Sequence, residues 1–165
     1  MNLNTQELYN LDYIIRYSNY PRIKNESVAA HSFFVAVEVY NLYEEYNFNI
    51  DRAIHLALTH DFPEVYIDDV SHKIKRDFPS VAKALKSAER KIIKLFPKFI
   101  QEYITEFEDG ETIESIIVKL GDIIQCKTYS QNEINLGNSG YMKEVYEDSI
   151  KREIILRNKI SKYLR

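Results

Sequence analysis

The sequence predicts an all-α protein, a bundle of helices folded as a single domain over residues 1–165. Three observations support this prediction. Only four glycines and four prolines occur in 165 residues, whereas a protein of many short strands needs more turn-forming residues. Apolar residues recur every three or four positions along most of the chain, which is the period of an amphipathic helix. The composition, 45% hydrophobic and 28% charged, is typical of a folded globular domain.

The apolar spacing places the helices along the chain. A first helix is expected over about residues 5–18, where Leu8, Leu11 and Ile15 recur at helical intervals and Pro21 follows. The remaining helices are expected at about residues 25–46, 50–60, 79–95, 98–107, 111–132 and 139–163, with a short helical turn and a polar loop over 62–78. Because loops of this kind often carry function, residues 62–78 are of particular interest.

Composition also excludes several classes of function. The net charge is -3, with acidic and basic residues interspersed, which disfavours a polymeric nucleic acid as partner. Cys126 is the only cysteine, so no disulfide can form within the chain. We find no segment that resembles an export signal and no apolar run near the roughly 18 to 20 residues that span a bilayer. The expected location is therefore the cytoplasm, without membrane contact.

Four polar residues interrupt otherwise apolar helical faces. His31 lies within the second predicted helix, His60 and Asp61 close the third, and Asp122 lies in the apolar stretch 116–124. Burying an unpaired carboxylate costs on the order of several kcal/mol, a large fraction of the stability of a domain. Coordination of a cation removes that cost, so the four residues predict a buried metal site.

Two imidazoles and two carboxylates form a mixed nitrogen and oxygen ligand set. Such a set suits one divalent ion of Mn, Fe, Co, Ni or Zn better than Ca or Mg, although Mg stays possible. Each residue alone has an ordinary explanation: His31 as a hydrogen-bonded core residue, the adjacent pair His60 and Asp61 as a helix end, and Asp122 as an ion-pair partner of a nearby lysine. The combination, a histidine, a His-Asp pair 29 residues later and an aspartate 61 residues beyond that pair, favours the metal site.

The same residues carry a resemblance to a known family. The stretch Glu-Ser-Val-Ala-Ala-His-Ser at 26–32 and the stretch His-Asp-Phe-Pro-Glu-Val-Tyr-Ile-Asp-Asp at 60–69 resemble HD-domain phosphohydrolases. More narrowly, the chain resembles the bacterial HD-domain 5'-deoxynucleotidases and their viral relatives that act on deoxynucleoside triphosphates, over about residues 8 to 130. The resemblance implies a helical bundle around a single metal ion, and by family analogy a homo-oligomer, a dimer or larger.

The resemblance also implies two substrate-binding residues upstream of the metal site. In this family an arginine and an aromatic residue precede the first metal histidine by fifteen and fourteen positions, which here are Arg16 and Tyr17. The arginine would contact the substrate phosphate and the aromatic ring the sugar or base. Tyr17 departs from the usual tryptophan. Without the resemblance, Arg16 can equally be the polar face of an amphipathic helix.

Three further residues complete the expected site. Glu64 follows His60 by four positions, so that a persisting helical turn would place its carboxylate beside the metal, where it can accept a proton from the attacking water. Asp69, the second carboxylate of the loop, would hold that water or donate to the leaving oxygen. Lys75 matches a phosphate-contacting lysine of the family, although a charged loop is more often simply solvated.

These residues predict a metal-dependent phosphohydrolase whose substrate is a small deoxynucleotide. The first hypothesis is release of phosphate from deoxynucleoside 5'-monophosphates. The alternative is removal of triphosphate from deoxynucleoside triphosphates, which needs room and positive charge for three phosphates around Arg16, Lys24, Lys73 and Lys75. A non-catalytic nucleotide-binding regulator is disfavoured by the presence of both Glu64 and Asp69. A hydrolase for cyclic dinucleotides or guanosine alarmones is disfavoured by the match at Arg16 and Tyr17. The nearby His55 is five residues from His60, about 140 degrees around a helix, and is expected to point away from the metal.

Overall fold

The computed structural model describes residues 3–164, and within them it is built of α-helices, two short 3-10 turns and no β-strand. The helices are α1 (Thr5–Leu8), α2 (Val28–Tyr43), α3 (Ile50–Thr59), α4 (Glu64–Ile67), α5 (His72–Asp77), α6 (Pro79–Ile92), α7 (Lys98–Asp109), α8 (Ile113–Asn135) and α9 (Tyr141–Tyr163). The 3-10 turns cover Tyr9–Asp12 and Ile93–Leu95. The predicted all-α class is confirmed.

Helix α8 forms the centre of the bundle and packs against α2, α3, α7 and α9. Its buried side chains, such as Ile117 and Leu120, share one core with Val35 of α2 and Leu56 of α3. Gly121 lies where α2 and α8 approach closely, since a Cβ atom there would lie 3.4 Å from the carbonyl oxygen of Val35. The core therefore fixes the faces of α2, α3 and α8 that carry the predicted metal ligands.

Local capping explains where α2 and α8 begin. Ser27 caps α2, since its hydroxyl oxygen accepts a hydrogen bond from the backbone N–H of Ala30. Thr112 caps α8 in the same way, accepting from the backbone N–H of Ser115. Both long helices thus start at fixed residues, which sets the register of His31 and Asp122 within the bundle.

The predicted helix over residues 5–18 is wrong beyond its beginning. Helix α1 ends at Leu8, the 3-10 turn ends at Asp12, and Ile15 then forms an isolated antiparallel bridge with Ser27, just before α2. There the N–H of Arg16 donates to the carbonyl of Glu26 at 2.9 Å, and the N–H of Val28 donates to that of Ile14 at 3.0 Å. These tertiary hydrogen bonds outweigh the helical apolar period, because so short a helix has little stability of its own.

The other predicted helices differ from the structure only at their ends. Helix α2 stops at Tyr43 rather than near residue 46, and the segment 62–78 contains two short helices, α4 and α5, instead of one turn and a loop. Helix ends fray and are the least certain part of any prediction from apolar spacing. In the part of the chain that the structure describes, no helix joins enough length to enough apolar character to cross a membrane.

Candidate metal centre and substrate cavity

The four predicted metal ligands converge from three parts of the bundle. His31 lies on α2, His60 and Asp61 directly follow α3, and Asp122 lies on α8. Nε2 of His31 is 3.3 Å from Oδ1 of Asp122 and 3.5 Å from Oδ2 of Asp61, and Nε2 of His60 is 3.1 Å from the same oxygen of Asp61. The ligand atoms of His31, His60 and Asp122 all lie within 4.8 Å of one another, close enough to hold one metal ion, and Asp61 contacts both histidines.

The hydrogen bonds of His60 favour metal binding. Its Nδ1 lies 2.8 Å from the carbonyl oxygen of Ala57, an acceptor, which fixes the proton on Nδ1 and leaves the lone pair on Nε2. That Nε2 atom is buried and has no hydrogen-bond partner, because the contact with Asp61 lacks hydrogen-bond geometry. A buried, unpartnered imidazole nitrogen is costly unless a cation occupies the space in front of it.

His31 is oriented by a polar network that the sequence gives no reason to expect. Its Nδ1 lies 2.7 Å from Oε1 of Gln125, and Nε2 of Gln125 donates to Oε1 of Glu26 at 2.5 Å. Arg16 lies at the same edge of the imidazole, with its Nη1 atom 2.6 Å from Nδ1 of His31. Metal binding by Nε2 would require the proton on Nδ1, where Oε1 of Gln125 can accept it.

Gln125 and Glu26 are functional candidates that sequence reasoning missed. Glutamine and glutamate are common on solvated surfaces, so Gln125 carries no signal of its own, and Glu26 is marked only as the first residue of the family stretch 26–32. Gln125 follows Asp122 by three positions on α8, and that spacing places both on one helix face. This is the only signal that pointed toward Gln125.

Both aspartates are held in the ionised form that metal ligands need. Burial alone would raise the pKa of Asp61, but the neighbouring imidazole of His60, with that of His31, lowers it to about 2. Burial would likewise raise the pKa of Asp122, and the hydrogen bond and charge of His31, together with the charge of His60, hold it well below its usual range. The carboxylates are therefore available as oxygen ligands at neutral pH.

A cavity of about 210 Å³ opens above these ligands. Eight of the nine predicted site residues line it: Arg16, Tyr17, His31, Asp61, Glu64, Asp69, Lys75 and Asp122. The ninth, His60, lies just beneath, in contact with Asp61. The structure thus brings the whole predicted constellation together, although the chain that carries Arg16 and Tyr17 forms a turn rather than a helix.

Glu64, the first residue of α4, directs an unpaired carboxylate oxygen into this region. Its Oε2 atom is buried and has no hydrogen-bond partner. Burial and the neighbouring charges of Asp61 and Asp69 raise the pKa of Glu64 well above the ordinary glutamate value, against the opposing charges of Arg16 and Lys75. A raised carboxyl pKa is typical of groups that exchange protons with a substrate or a water molecule.

Asp69 is held by the backbone of the opposite segment. The N–H of Tyr17 donates to Oδ2 of Asp69 at 3.3 Å. Tyr17 donates this hydrogen bond, and Asp68 directly precedes its acceptor. Their φ angles are 56° and 58°, and they are the non-glycine residues with positive φ among those described. Such conformations cost on the order of 1 to 3 kcal/mol each and persist only where the surroundings impose them. The two loops are therefore constrained where they meet at the cavity.

The cationic side chains at the cavity differ in how far they are engaged. Arg16 is 9% exposed and bound to Glu26, with Nη1 donating to Oε2 at 3.0 Å. Three others each form an ion pair with an acidic residue: Lys73 with Glu144, Arg76 with Asp77 and Arg152 with Asp148. Lys75 forms no ion pair within residues 3–164. Lys75 is thus the cation most available to a bound phosphate.

One wall of the cavity comes from α9, which carries none of the predicted site residues. Tyr141, Glu144, Asp148 and Arg152 lie on this wall at intervals of three or four residues. The same spacing marks an ordinary solvent-facing stripe of a helix, so the pattern alone does not single these residues out. Only the packing of α9 along α8 turns the stripe toward the metal ligands.

Comparison with known proteins identifies the family. A family profile described as 5'-deoxynucleotidase YfbR-like matches residues 5–161. The chain belongs to the YfbR-like 5'-deoxynucleotidase family. A curated 5'-deoxynucleotidase of Pasteurella multocida is 29% identical over 141 residues, which cover 78% of this chain and 72% of the relative. The family predicted from the motifs is therefore confirmed.

Solved structures of other HD phosphohydrolases share the fold of this YfbR-like chain. An HD-domain phosphohydrolase from Listeria innocua superposes with a TM-score of 0.79 at 24% identity, covering 95% of this chain and 81% of that one. The HD phosphohydrolase of cyanophage S-2L, described as bound to dA and one catalytic Zn²⁺ ion, superposes with a TM-score of 0.73 at 15% identity, covering 98% and 99%. These similarities confirm an HD-type helical bundle.

Family and fold together establish the class of activity. The chain is a hydrolase, a metal-dependent nucleotide phosphohydrolase of the HD-domain type, as predicted. The residues present fit a divalent metal ion, since the unpartnered Nε2 of His60 and the nearby donor atoms of His31 and Asp122 face one space.

Proposed function

We propose that this YfbR-like protein releases phosphate from deoxynucleoside 5'-monophosphates, with one divalent metal ion bound by His31, His60, Asp61 and Asp122. The observation that carries the proposal is the position of the unpartnered oxygen of Glu64 in a cavity whose floor is the ligand cluster. The names of the curated relatives support the choice of substrate.

Each of the site residues has a separate role in the proposed hydrolysis. A bound metal ion supplies Lewis-acid activation of the phosphoryl oxygen and a lowered pKa for a coordinated water. Glu64 accepts the proton of the attacking water at Oε2, the buried carboxylate oxygen that has no hydrogen-bond partner among the described residues. Asp69, held by the N–H of Tyr17, orients the water or donates a proton to the leaving 5'-oxygen. Lys75 and Arg16 stabilise the charge on the phosphoryl group.

The charges around the cavity favour a monophosphate over a triphosphate. A triphosphate carries far more negative charge, and two of the cavity's cations, Arg76 and Arg152, are already paired with carboxylates. Lys24, which the triphosphate hypothesis needs at the site, is absent from the cavity lining and borders a separate groove beside α8. Lys75 and Arg16 together suffice for one phosphate group.

The identity of the ion is part of the proposal. The mixed nitrogen and oxygen ligands favour Mn, Fe, Co, Ni or Zn over Mg, and the Zn²⁺ described for the S-2L enzyme supports this preference. The cytoplasmic location, the homo-oligomer, the absence of a nucleic-acid partner and the single-domain organisation stay predictions.

The decisive experiment supplies purified protein with Mn, Co, Zn or Mg in turn and offers each deoxynucleoside monophosphate and triphosphate. Phosphate and triphosphate release are measured separately. We expect phosphate from the monophosphates and little triphosphate from the triphosphates. Predominant triphosphate release would replace the proposal with the alternative, and nucleotide binding without turnover of either class would favour the non-catalytic regulator. Ribonucleoside monophosphates, offered in parallel, test the preference for deoxyribose.

A further inference from the structure

Two tyrosine rings line the substrate cavity, and they differ in how much of each ring is free. Tyr17 already has two neighbours at its ring: the ring of Tyr129 lies parallel to it with centroids 5.6 Å apart, and the guanidinium carbon of Arg16 lies 5.2 Å from its centroid. A planar base that stacked on Tyr17 would compete with these neighbours. The ring edge of Tyr17 is therefore the better placed part for contact with a ligand.

Tyr141, the first residue of α9, is only partly covered. The ring of Tyr20 stacks on one face, with centroids 3.5 Å apart and planes inclined by 9°. Because Tyr20 leaves no room on that side, the ammonium of Lys73, 5.8 Å from the centroid, lies over the other face. The side chain of Lys73 is 41% exposed, and its ion pair with Glu144 is 3.9 Å long. A long, exposed lysine held this loosely is easily displaced.

Tyr141 is also held rigidly enough to serve as a platform. Tyr20 fixes the plane of the ring from behind, and the ring of Tyr17 meets it at 63° with centroids 6.4 Å apart. Tyr141 lines the same cavity as the metal ligands. A ligand bound by its phosphate at the floor can therefore direct its other end toward this ring.

We propose that the nucleobase of the substrate stacks on the face of Tyr141 now covered by Lys73, and that Tyr17 contacts the sugar with its ring edge. This inference rests on the proposed function and assigns the part of the substrate that the metal centre does not reach. Stacking on an aromatic ring tolerates every base, since each has a π face. Tyr141 therefore contributes affinity for all four deoxynucleotides, with the largest contribution for the purines.

The test compares a ligand that has a base with one that lacks it. For Tyr141→Ala with bound metal, we expect KM for dAMP to rise roughly tenfold, within the range found when a base-stacking aromatic is removed, with kcat changed much less. The inhibition constant of 2-deoxyribose 5-phosphate, which lacks a base, should stay within about twofold of the wild-type value. Tyr141→Phe, which keeps the aromatic ring, should restore the wild-type KM. Tyr163→Ala, at the far end of the same helix, is the matched control and should behave as wild type.

Calorimetry of dAMP binding separates this inference from the proposed function. It uses metal-loaded protein carrying Glu64→Gln, so that substrate is not consumed, with and without Tyr141→Ala. If the wild type hydrolysed no deoxynucleoside monophosphate but bound dAMP through Tyr141, the proposed reaction would be wrong, whereas base stacking on Tyr141 would be supported. Equal losses for dAMP and 2-deoxyribose 5-phosphate would show a structural role for Tyr141 and overturn the inference. An unchanged dAMP affinity, or no binding to the parent, would overturn it as well.

Discussion

The metal side and the substrate side of the cavity are built in different ways. Helices α2, α3 and α8 carry or directly precede the proposed metal ligands, and these helices share the main apolar core. Arg16, Tyr17 and Asp69 instead lie on connecting segments, which polar contacts hold in place. From this difference we expect metal affinity to depend on the packed core, and substrate affinity to depend on a few hydrogen bonds at the mouth of the cavity.

Residues 13–27, the segment that carries Arg16 and Tyr17 to the mouth of the cavity, are held by hydrogen bonds to α8. Glu133, near the end of α8, accepts hydrogen bonds from the backbone N–H groups of Ile23 and Lys24, each at 2.7 Å. Tyr129, one turn earlier on α8, donates its hydroxyl to the carbonyl of Lys24 at 2.7 Å. One helix thus positions both sides of the cavity, through Asp122 at the metal centre and through Glu133 at the mouth. Substitutions along α8 can therefore change metal affinity and substrate affinity separately.

The largest effect is expected for Asp122→Ala. Removing this carboxylate from the cluster should abolish metal binding, and activity with it, because no other described carboxylate approaches His31 as closely. Metal content after dialysis and phosphate release from dAMP check the prediction. Asp148→Ala, which removes an acidic group from another wall of the same cavity, should keep its metal. An Asp122→Ala protein that still carried one ion per chain would refute the ligand assignment.

Glu64→Gln should affect turnover alone. Its side chain keeps the shape of the glutamate but cannot accept the proton of the attacking water, so we expect kcat to fall by roughly 100- to 10,000-fold. Metal content and dAMP affinity should stay near wild type, because Glu64 is not a proposed ligand. Loss of the metal together with activity would show that Glu64 belongs to the metal side of the cavity.

The sequence was most informative where helical context and ligand chemistry coincide. His31 and Asp122 interrupt apolar faces whose helices formed as expected, so their convergence followed from the packing of those faces. Arg16 and Tyr17 reached the cavity although the helix predicted for them is wrong. The family motif locates these two residues by their distance from His31, and that distance is independent of the local backbone.

The network behind His31 was beyond prediction for a physical reason. Glu26 and Gln125 are 99 residues apart, and their contact depends on how the segment before α2 folds onto α8. The Tyr141 wall depends in the same way on the position of α9. Long-range contacts of this kind carry no periodic signal in a single sequence, whereas helix formation does.

Gln125→Leu should weaken metal binding without removing any ligand. It deletes the oxygen that accepts the proton of His31, and loss of such a partner typically costs about 10- to 100-fold in metal affinity. A competition titration with a chelating dye measures this directly. Gln131→Leu, an exposed substitution on the same helix, is the matched control and should leave the affinity unchanged. Equal affinities for both variants would mean that the α2 and α8 packing orients His31 unaided.

The smallest effect concerns the mouth and is expected for Glu133→Gln. The amide can accept only one of the two backbone hydrogen bonds well, which should cost about 1 to 3 kcal/mol of unfolding free energy at neutral pH. KM for dAMP should rise as residues 13–27 loosen, while metal affinity stays unchanged. A drop in metal affinity as large as the rise in KM would show that the two sides of the cavity are not separable.

Acid titration of Glu133 should remove the stability that its ionised carboxylate contributes. Burial alone would raise the pKa of Glu133, but hydrogen bonds from Asn138 and from the N–H groups of Ile23 and Lys24 lower it below the ordinary glutamate value of 4.5. A carboxylate with a lowered folded-state pKa stabilises the protein fully above its unfolded-state pKa, and the contribution is lost as the pH falls through the folded-state pKa. The stability difference between wild type and Glu133→Gln should therefore be constant near neutral pH and shrink below about pH 4.5. Denaturant unfolding across this range measures it, with the exposed Glu147→Gln as control. A difference that grew on acidification would contradict the assignment of Glu133 as the ionised anchor of the mouth.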